Sequence, residues 1–371
     1  MTMTGRLLSR NRLTKFTCKG LMCAALILAG PASRAALAEP GYFHLGFLDP
    51  TSNGPSIAFA VSPDGKAVVG ESNSQLGLQA FVWTPGRGMH GLGDLPGGAF
   101  FSAAYGVSDN HRVVGASEDC CSGEEGTPFA FTTQGGMRHL PTLHGPTSYG
   151  QAEAITSDGR VAVGASQIPS GDIHAVLWNR TDGAVDLGDL PGGRDLARAQ
   201  AISGDGTIVV GTGSTDASGF DTAFRWTEQT GMEPLPGLGR TAALGISTDG
   251  QVVVGQVNGH AGRWTEQTGW VDLGTFGIAR GLYFASATNA DGSVIVGLAN
   301  FDALEGTGEA FIWDSVGGIR SLATYLQSEI GLDLGGLSPF WARAMSSDGS
   351  VIAGYGFNNL GEQEAFSAVL N

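Results

Sequence analysis

The sequence predicts an all-β fold, a seven-bladed β-propeller built of four-stranded antiparallel blades. Three observations lead to this prediction: a glycine-rich composition, a repeat of blade length, and complementary strand patterns at the two chain ends. Of the 371 residues, 60 are glycine and only 15% are charged. This composition suits short strands and tight turns better than long amphipathic helices.

Each repeat begins with a strand of small and apolar residues, most often Ala-x-Ala/Gly-Ile/Val-Ser. The copies end at Ser62, Ser108, Thr156, Ser203, Ser247, Asn289 and Ser346. The intervals between them are 46, 48, 47, 44, 42 and 57 residues. Periods of about 40–50 residues are typical of propeller blades, whereas the coils of a β-helix repeat over far fewer residues.

The other three strands follow in a fixed order. A Ser-x-Asp-Gly turn, such as the one at Asp205-Gly206, leads into a Val-rich second strand that ends on glycine. The third strand carries Ala-Phe-x-Trp and the fourth Leu-Gly-x-Leu. Because aspartate caps such a turn and glycine takes its positive φ, we interpret these aspartates as turn residues and not as calcium ligands. In the second repeat, Asp109-Asn110-His111 stands here, and Asn110 is expected to replace the glycine.

The two chain ends complement each other. A fourth-strand pattern, His44-Leu45-Gly46-Phe47-Leu48, opens the exported chain, and the sequence stops at Asn371 just after a third strand. Pairing of these ends would close a ring and remove both free edges. We therefore predict one propeller domain over residues 39–371, with its last blade completed by the N-terminal strand. A short helical insertion is expected at about residues 320–338, where the longest interval has helical spacing ended by Gly331.

Residues 1–38 have the pattern of a secretory signal peptide. Basic residues from Arg6 to Lys19 precede the apolar stretch from Leu21 to Gly30, and Ala36 and Ala38 mark the cleavage site. The apolar stretch is short for a membrane span, and no later stretch of the sequence is apolar enough for one. The pattern predicts export to the periplasm or the extracellular space.

Cleavage would remove six cations and no anions, leaving 14 basic against 35 acidic side chains and a net charge of −21. Nucleic acid and anionic membrane surfaces are therefore not expected as partners. Cys120 and Cys121 remain as an adjacent pair, for which a strained disulfide, free thiols and intermolecular pairing all stay open. The four carboxylates around the pair are expected to form a solvated hairpin, and neither a metal site nor a cofactor is predicted.

The repeat resembles that of the HAF family of extracellular repeat proteins, named for a His-Ala-Phe tripeptide before the tryptophan. The resemblance covers roughly residues 43–371. It rests on Leu-Gly-Asp-Leu-Pro-Gly-Gly at 92–98 and 187–193, on Ser-x-Asp-Gly and on Ala-Phe-x-Trp. The histidine is kept only as His174 and His260, which argues against a ring of histidine ligands. The resemblance implies export and a propeller-like repeat, but no activity.

Residues that interrupt the repeat are the candidates for function, and one group lies on loops expected at one rim. This group comprises Phe100, Phe101, Tyr149, Arg194, Arg198, Arg240, Arg280, Tyr283, Phe284, Phe340 and Trp341. Aromatic faces with arginine forks suit uronic acids or acidic peptides. The other interpretation is that these side chains fill gaps at the blade tops.

A second group is the variable residue between the two small residues of each first strand. Its members are Phe59, Tyr105, Glu153, Gln200, Leu244, Ser286 and Arg343. Because Glu153 and Arg343 would be costly to bury unpaired, we expect them to line a wet channel or to pair with a neighbour.

Two functions of different classes follow from these groups. We favour a non-enzymatic binding or scaffold protein that takes a glycan or a protein at one rim. The alternative is a polysaccharide lyase or hydrolase whose acid/base pair comes from Glu153, Arg343 and the rim. The sequence contains no nucleophile elbow, His-Glu-x-x-His, phosphate loop or Cys-x-x-Cys motif.

Overall fold

The computed structural model describes residues 39–370, apart from 52–53, 120–125, 146–147, 180–182, 216–221, 238 and 278–280. The predicted signal peptide, the Cys120-Cys121 pair and Arg280 lie outside the described residues. Strands dominate the described chain, which confirms the all-β prediction. Its helical residues are α1 (Leu322–Thr324) and the π-helical turn Tyr325–Ile330. Neither of these helices is long or apolar enough to cross a bilayer.

The strands follow the order of the repeats, after an N-terminal strand β1 (Gly41–Gly46). The first two repeats contain β2 (Ser56–Val61), β3 (Val68–Ser74), β4 (Gly77–Thr84), β5 (Gly88–Gly91), β6 (Gly97–Val107), β7 (Val113–Asp119), β8 (Thr127–Thr132) and β9 (Gly136–His139). The next three contain β10 (Gly150–Ile155), β11 (Ala162–Gln167), β12 (Ile173–Asn179), β13 (Gly183–Gly188), β14 (Ala197–Ile202), β15 (Ile208–Gly213), β16 (Thr222–Thr227), β17 (Gly231–Pro234), β18 (Thr241–Ile246), β19 (Val253–Val257), β20 (His260–Thr265) and β21 (Gly269–Asp272). The last two contain β22 (Leu282–Thr288), β23 (Val294–Asp302), β24 (Thr307–Asp314), β25 (Gly318–Ser321), β26 (Ser338–Met345), β27 (Val351–Phe357) and β28 (Gln363–Val369).

Within the described chain, the strands of each repeat pair antiparallel in sequence order. Four-stranded sheets are formed by β10–β13, by β14–β17, by β18–β21 and by β22–β25. The sets β2–β5 and β6–β9 are also antiparallel, and one parallel pairing of Leu78 with Phe101 joins them into an eight-stranded sheet. The architecture is thus a series of antiparallel sets of four strands, as the repeat predicts, with the first two sets joined in one sheet.

The last sheet takes its fourth strand from the opposite end of the chain. Strand β1 pairs antiparallel with β28, which places Tyr42 opposite Ala368 and Phe43 opposite Ser367. Leu45 lies in a bulge of this pairing and is only 6% exposed. The N-terminal strand therefore covers the edge of β28 with hydrogen bonds and an apolar contact.

Apolar cores lie between sheets of successive repeats. The last and first repeats are also neighbours, since one core holds Phe81 of the first repeat together with Ala353 of the last. A main-chain hydrogen bond joins the turns of the same two repeats, where Ser347 N donates to Pro63 O at 2.9 Å.

The Asp-Gly turns have the predicted geometry. In the fourth repeat, Gly206 has a φ of 77°, and Asp205 Oδ1 accepts a hydrogen bond from Ser203 Oγ at 2.6 Å. In the second repeat the positive φ, 59°, belongs to His111, so the expectation that Asn110 replaces the glycine is wrong. Asn110 instead occupies the aspartate position, because its side-chain oxygen accepts from the serine hydroxyl two residues earlier at 2.7 Å, as the carboxylate does elsewhere.

Each first strand of the described chain carries a β-bulge at its variable residue. In β26 the register shifts between Ala342 and Ala344, which puts Arg343 in the bulge. The same shift occurs in β2, β6, β10, β14, β18 and β22. A bulge leaves one residue unpaired and redirects its side chain. The bulge residues are Phe59, Tyr105, Glu153, Gln200, Leu244, Ser286 and Arg343.

The glycine that ends the Val-rich run of each second strand makes room for the bulge. A Cβ on Gly354 would lie 2.0 Å from the carbonyl oxygen of Trp341, and a Cβ on Gly164 would lie 1.9 Å from that of Gln151. Only a hydrogen atom fits so close to a carbonyl oxygen. The recurring glycine is thus a steric requirement of the bulge.

Candidate functional site

The seven bulge residues meet in one cavity of about 500 Å³, which we call the axial cavity. Each of the first strands β2, β6, β10, β14, β18, β22 and β26 contributes its bulge residue and the residues beside it. Around these positions the neighbours are small or aliphatic, such as Ala60, Gly106 and Ala154. The chemistry of the axial cavity is therefore set by the residues that vary between repeats.

Arg343 and Glu153 are the only charged side chains among the described residues that line the axial cavity. The guanidinium carbon of Arg343 lies over two rings, 4.4 Å from the centroid of Trp341 and 5.2 Å from that of Phe59. Within the described chain, Arg343 forms no hydrogen bond and no ion pair. Its charge is stabilised by the faces of two aromatic rings and by more distant carboxylates.

Two carboxyl groups act on Arg343 through space. Burial raises the pKa of Glu153 above its ordinary value, while the charges of Arg198 and Arg343 oppose the rise. Burial raises the pKa of Glu71 to about 7, again opposed by Arg343. Glu71 lies on β3, opposite Ile57 of the first strand. Because the pKa of Glu71 is about 7, the charge near Arg343 changes close to neutral pH.

Two phenol groups, Tyr105 and Tyr355, interact electrostatically with these charged side chains. Burial raises the pKa of Tyr105, and the nearby Glu153 and Glu71 raise it further. Burial also raises the pKa of Tyr355, opposed by Arg343. Both phenols therefore stay neutral donors at physiological pH.

A cluster of aromatic rings holds Trp341 in place. Phe284 and Tyr355 lie with their ring centroids 6.2 and 6.4 Å from that of Trp341. The indole N–H donates to Ser286 Oγ at 2.8 Å. Phe340 is buried beneath, 5.6 Å from Tyr355 between ring centroids. The Trp341 ring is thus fixed by packing on one side and by a hydrogen bond to another bulge residue.

Tyr149 and Arg198, both predicted rim residues, contact each other. The Arg198 guanidinium donates to the Tyr149 hydroxyl and lies 5.2 Å from the ring centroid. The same hydroxyl donates to Gln151 Oε1 at 2.9 Å. Arg198 also acts on Glu153, so this group is electrostatically connected to the axial cavity.

The structure brings only some of the predicted rim residues to the cavity. Phe284 and Trp341 line it, together with the channel residues Glu153 and Arg343. Arg194 and Arg240 are exposed, and Phe100 and Phe101 lie half-buried on β6, where none of the four lines the cavity.

Tyr283 is a packing residue. It is fully buried, and its hydroxyl lies 2.8 Å from Asn300 Oδ1 and 3.0 Å from the carbonyl oxygen of Phe276. Of the two interpretations given for the rim aromatics, gap filling therefore describes Tyr283 and the buried Phe340.

The HAF-position histidines pair with aspartates of the fourth strands. His174 Nδ1 lies 2.8 Å from Asp186 Oδ1, and His260 Nδ1 lies 2.6 Å from Asp272 Oδ2. Both aspartates also accept a main-chain N–H two residues later at 2.8 Å. These histidines thus fasten a third strand to a fourth. No group of metal-ligating side chains occurs in the part of the chain that was described.

Sequence reasoning missed Glu71 and Tyr355. Both lie on second strands, outside the variable position of the repeat. The available signal was the glycine inside each Val-rich strand, since glycine in a strand often marks a bulge. At a bulge, a residue of the second strand that pairs with the first strand lies close to the side chain that the bulge redirects.

No protein-family model matches the chain, and no curated protein matches it. Among solved structures, TolB from Acinetobacter baumannii is similar with 12% identity over 70% of this chain and 63% of that chain, at a TM-score of 0.45. A protein assigned as a TolB in Agrobacterium tumefaciens is similar with 15% identity over 82% of this chain and 99% of that chain, at a TM-score of 0.47. This chain thus spans less than two thirds of the Acinetobacter protein. At such identities and TM-scores, neither likeness carries a ligand or an activity over to this chain.

Proposed function

We propose that this chain is an exported seven-bladed β-propeller, closed through its N-terminal strand, that binds a ligand in the axial cavity. The pairing of β1 with β28 supports closure, as does the bond from Ser347 N to Pro63 O between the last and first repeats. The signal-like residues 1–38 support export to the periplasm or beyond the cell. The recurring Ser-x-Asp-Gly and Ala-Phe-x-Trp elements support an HAF-type repeat.

One observation carries the binding function: the position that varies from repeat to repeat is the position that every bulge turns into the axial cavity. Residues that recur in each repeat form turns and cores. The varied residues instead present a guanidinium, a carboxyl group, an amide, a hydroxyl and aromatic rings to one space. A cavity of this size and mixed chemistry is typical of a small-molecule or chain-end site. We propose a glycan as the ligand, with a protein segment as the second choice.

Electrophoretic retardation in gels that contain pectin, alginate, dextran or starch tests this function. At least one polymer should retard the exported protein. Leu244→Trp fills the cavity without changing its charge and should abolish retardation, whereas Leu244→Ala leaves the cavity open and should keep it. If no polymer retards the protein, or if both variants behave alike, the proposal is wrong.

A polysaccharide lyase or hydrolase is the second candidate, favoured by the raised pKa values of Glu153 and Glu71 around one cavity. Incubation with the same polymers would then release reducing ends or unsaturated products. Turnover that Glu153→Gln abolishes would establish the enzyme, and binding without turnover would establish the binding protein.

A further inference from the structure

Resting on the binding function above, we propose that Arg343 is the anion-binding group of the axial cavity and that its ligand is a uronic acid. The carboxylate of the ligand binds the edge of the guanidinium, and its sugar ring contacts the aromatic side chains beside Arg343.

The surroundings of Arg343 favour an oxyanion as its ligand. Trp341 and Phe59 cover the guanidinium, and no donor atom of Arg343 is engaged by another described residue. A ring contact of this kind uses no hydrogen-bond donor, so the N–H groups of the guanidinium remain for an acceptor. The guanidinium fork matches the two oxygens of a carboxylate.

The charges around Arg343 favour a singly charged ligand. Glu153 lines the same cavity, and Glu71 acts on Arg343 from β3. One guanidinium therefore faces two carboxyl groups within a strongly acidic chain. Burial raises the pKa of both carboxyls and so favours their neutral forms, which leaves the Arg343 charge to pair with one ligand carboxylate. A phosphate dianion would add a second negative charge that no described lining residue balances.

The remaining lining residues suit a hydroxylated ring better than a purely apolar one. The rings of Phe59 and Tyr105 lie 5.2 Å apart between centroids and give an apolar surface beside Arg343. Gln200 accepts from Thr212 Oγ1 at 3.0 Å through its side-chain oxygen, which leaves its amide N–H groups to donate. Glu153 and Ser286 add acceptors at two further bulges. Hydroxyl groups around a ring match this mixture of acceptors and donors.

Calorimetric titration of the exported protein with a matched series of small ligands tests the proposal. The series is galacturonate, galacturonamide, galactose, galactose 6-phosphate and phenylacetate. Galacturonate should bind at least about tenfold more tightly than the amide, since charge-assisted hydrogen bonds are the stronger kind. Arg343→Met should remove this preference and Arg343→Lys should keep part of it, because lysine retains the charge without the fork. Arg240→Met, which changes an exposed rim arginine, should leave it intact.

Three results would overturn the uronic acid assignment: equal affinity for galacturonate and its amide, tighter binding of the sugar phosphate, or equal binding of phenylacetate. Leu244→Trp distinguishes an error in the uronic acid assignment from an error in the proposal that the cavity binds a ligand. If a neutral polymer binds and Leu244→Trp abolishes that binding, the cavity is a glycan site but the acid assignment is wrong. If Leu244→Trp leaves all binding unchanged, the cavity function itself is wrong. Arg343→Lys keeps the test valid should Arg343→Met fail to fold.

Discussion

Arg343 and Trp341 lie two residues apart on β26, and the guanidinium carbon of Arg343 is 4.4 Å from the centroid of the Trp341 ring. In a regular strand such residues point to the same face at a greater separation. The bulge at Arg343 moves its side chain over the ring. Arg343 has no ion pair among the described residues, and an aromatic face holds its charge beside the cavity.

This contact predicts a measurable coupling between the two side chains. In a double-mutant cycle of Arg343→Met and Trp341→Leu, the free energy of unfolding should show a coupling of about 1–2 kcal/mol, as for a partly desolvated cation–π pair. Urea unfolding of the four proteins measures it. A cycle of Arg343→Met with Trp313→Leu on β24 is the control. Equal coupling in both cycles would contradict the contact.

Glu71 predicts a pH dependence of stability with a definite sign. Its pKa rises from an ordinary 4.5 to about 7 in the folded protein, so the folded state binds the proton more tightly. The contribution of Glu71 to stability is then greatest below pH 4.5 and is lost as the pH rises to 7. Arg343 is the charged group that acts on Glu71, and Glu71 in turn raises the pKa of Tyr105.

Glu71→Gln removes this titration. The free energy of unfolding of the variant minus that of the unmodified protein should therefore increase by about 1–2 kcal/mol from pH 5 to pH 8. Denaturant unfolding at both pH values measures the gain, with the exposed Glu233→Gln as control. A difference that does not change with pH would show that Glu71 is ionised alike in both states.

The pairing of β1 with β28 predicts unequal costs along a single strand. Leu45 is 6% exposed and Phe43 is 37% exposed. Leu45→Ala should therefore cost about 2–4 kcal/mol of unfolding free energy, as for a buried leucine, and Phe43→Ala about 1 kcal/mol or less. Equal costs would mean that β1 does not cover the last sheet.

The strand glycines predict a steric effect on the bulge. Gly354→Ala brings a Cβ against the Trp341 carbonyl oxygen, and we expect a loss of about 1–3 kcal/mol, typical of overpacking. Gly361→Ala, at a turn with open space around it, tests backbone strain alone and should cost about 1 kcal/mol. Gly354→Ala should also weaken ligand binding, because it displaces Trp341 and Arg343. Unchanged binding would separate the glycine from the site.

The sequence was sufficient to predict the strands and turns, because each depends on local chemistry repeated many times. The alternation of residues in the third strand, the Asp-Gly pair and the Val-rich runs recur in nearly every repeat. A repeat with an unusual residue can therefore be aligned with the others. The second-repeat turn was the exception. There, Asn110 can take either of two turn positions, and only the hydrogen bond to its side chain decides between them.

The candidate site was predictable only in part. Glu153 and Arg343 occupy the position that varies between repeats and is flanked by small residues, and this predicted them as residues of the channel. The partners of Arg343 are set by the bulge and by contact between the last and first repeats, which bring Phe59 and Arg343 together from 284 residues apart. The predicted ring closure makes the last and first repeats neighbours, but the sequence does not show which of their side chains then come into contact. Tyr283 was predicted at the rim but is buried. The sequence around it does not indicate that its hydroxyl lies within hydrogen-bond distance of two acceptors in the core.

A crystal structure of residues 39–371 grown with saturating galacturonate is the most direct test of whether Arg343 binds the ligand carboxylate. We expect electron density for the sugar inside the axial cavity, with its carboxylate hydrogen-bonded to the Arg343 guanidinium. Density for the sugar at the outer loops, beside Arg194 or Arg240, with the cavity filled only by water, would contradict this expectation.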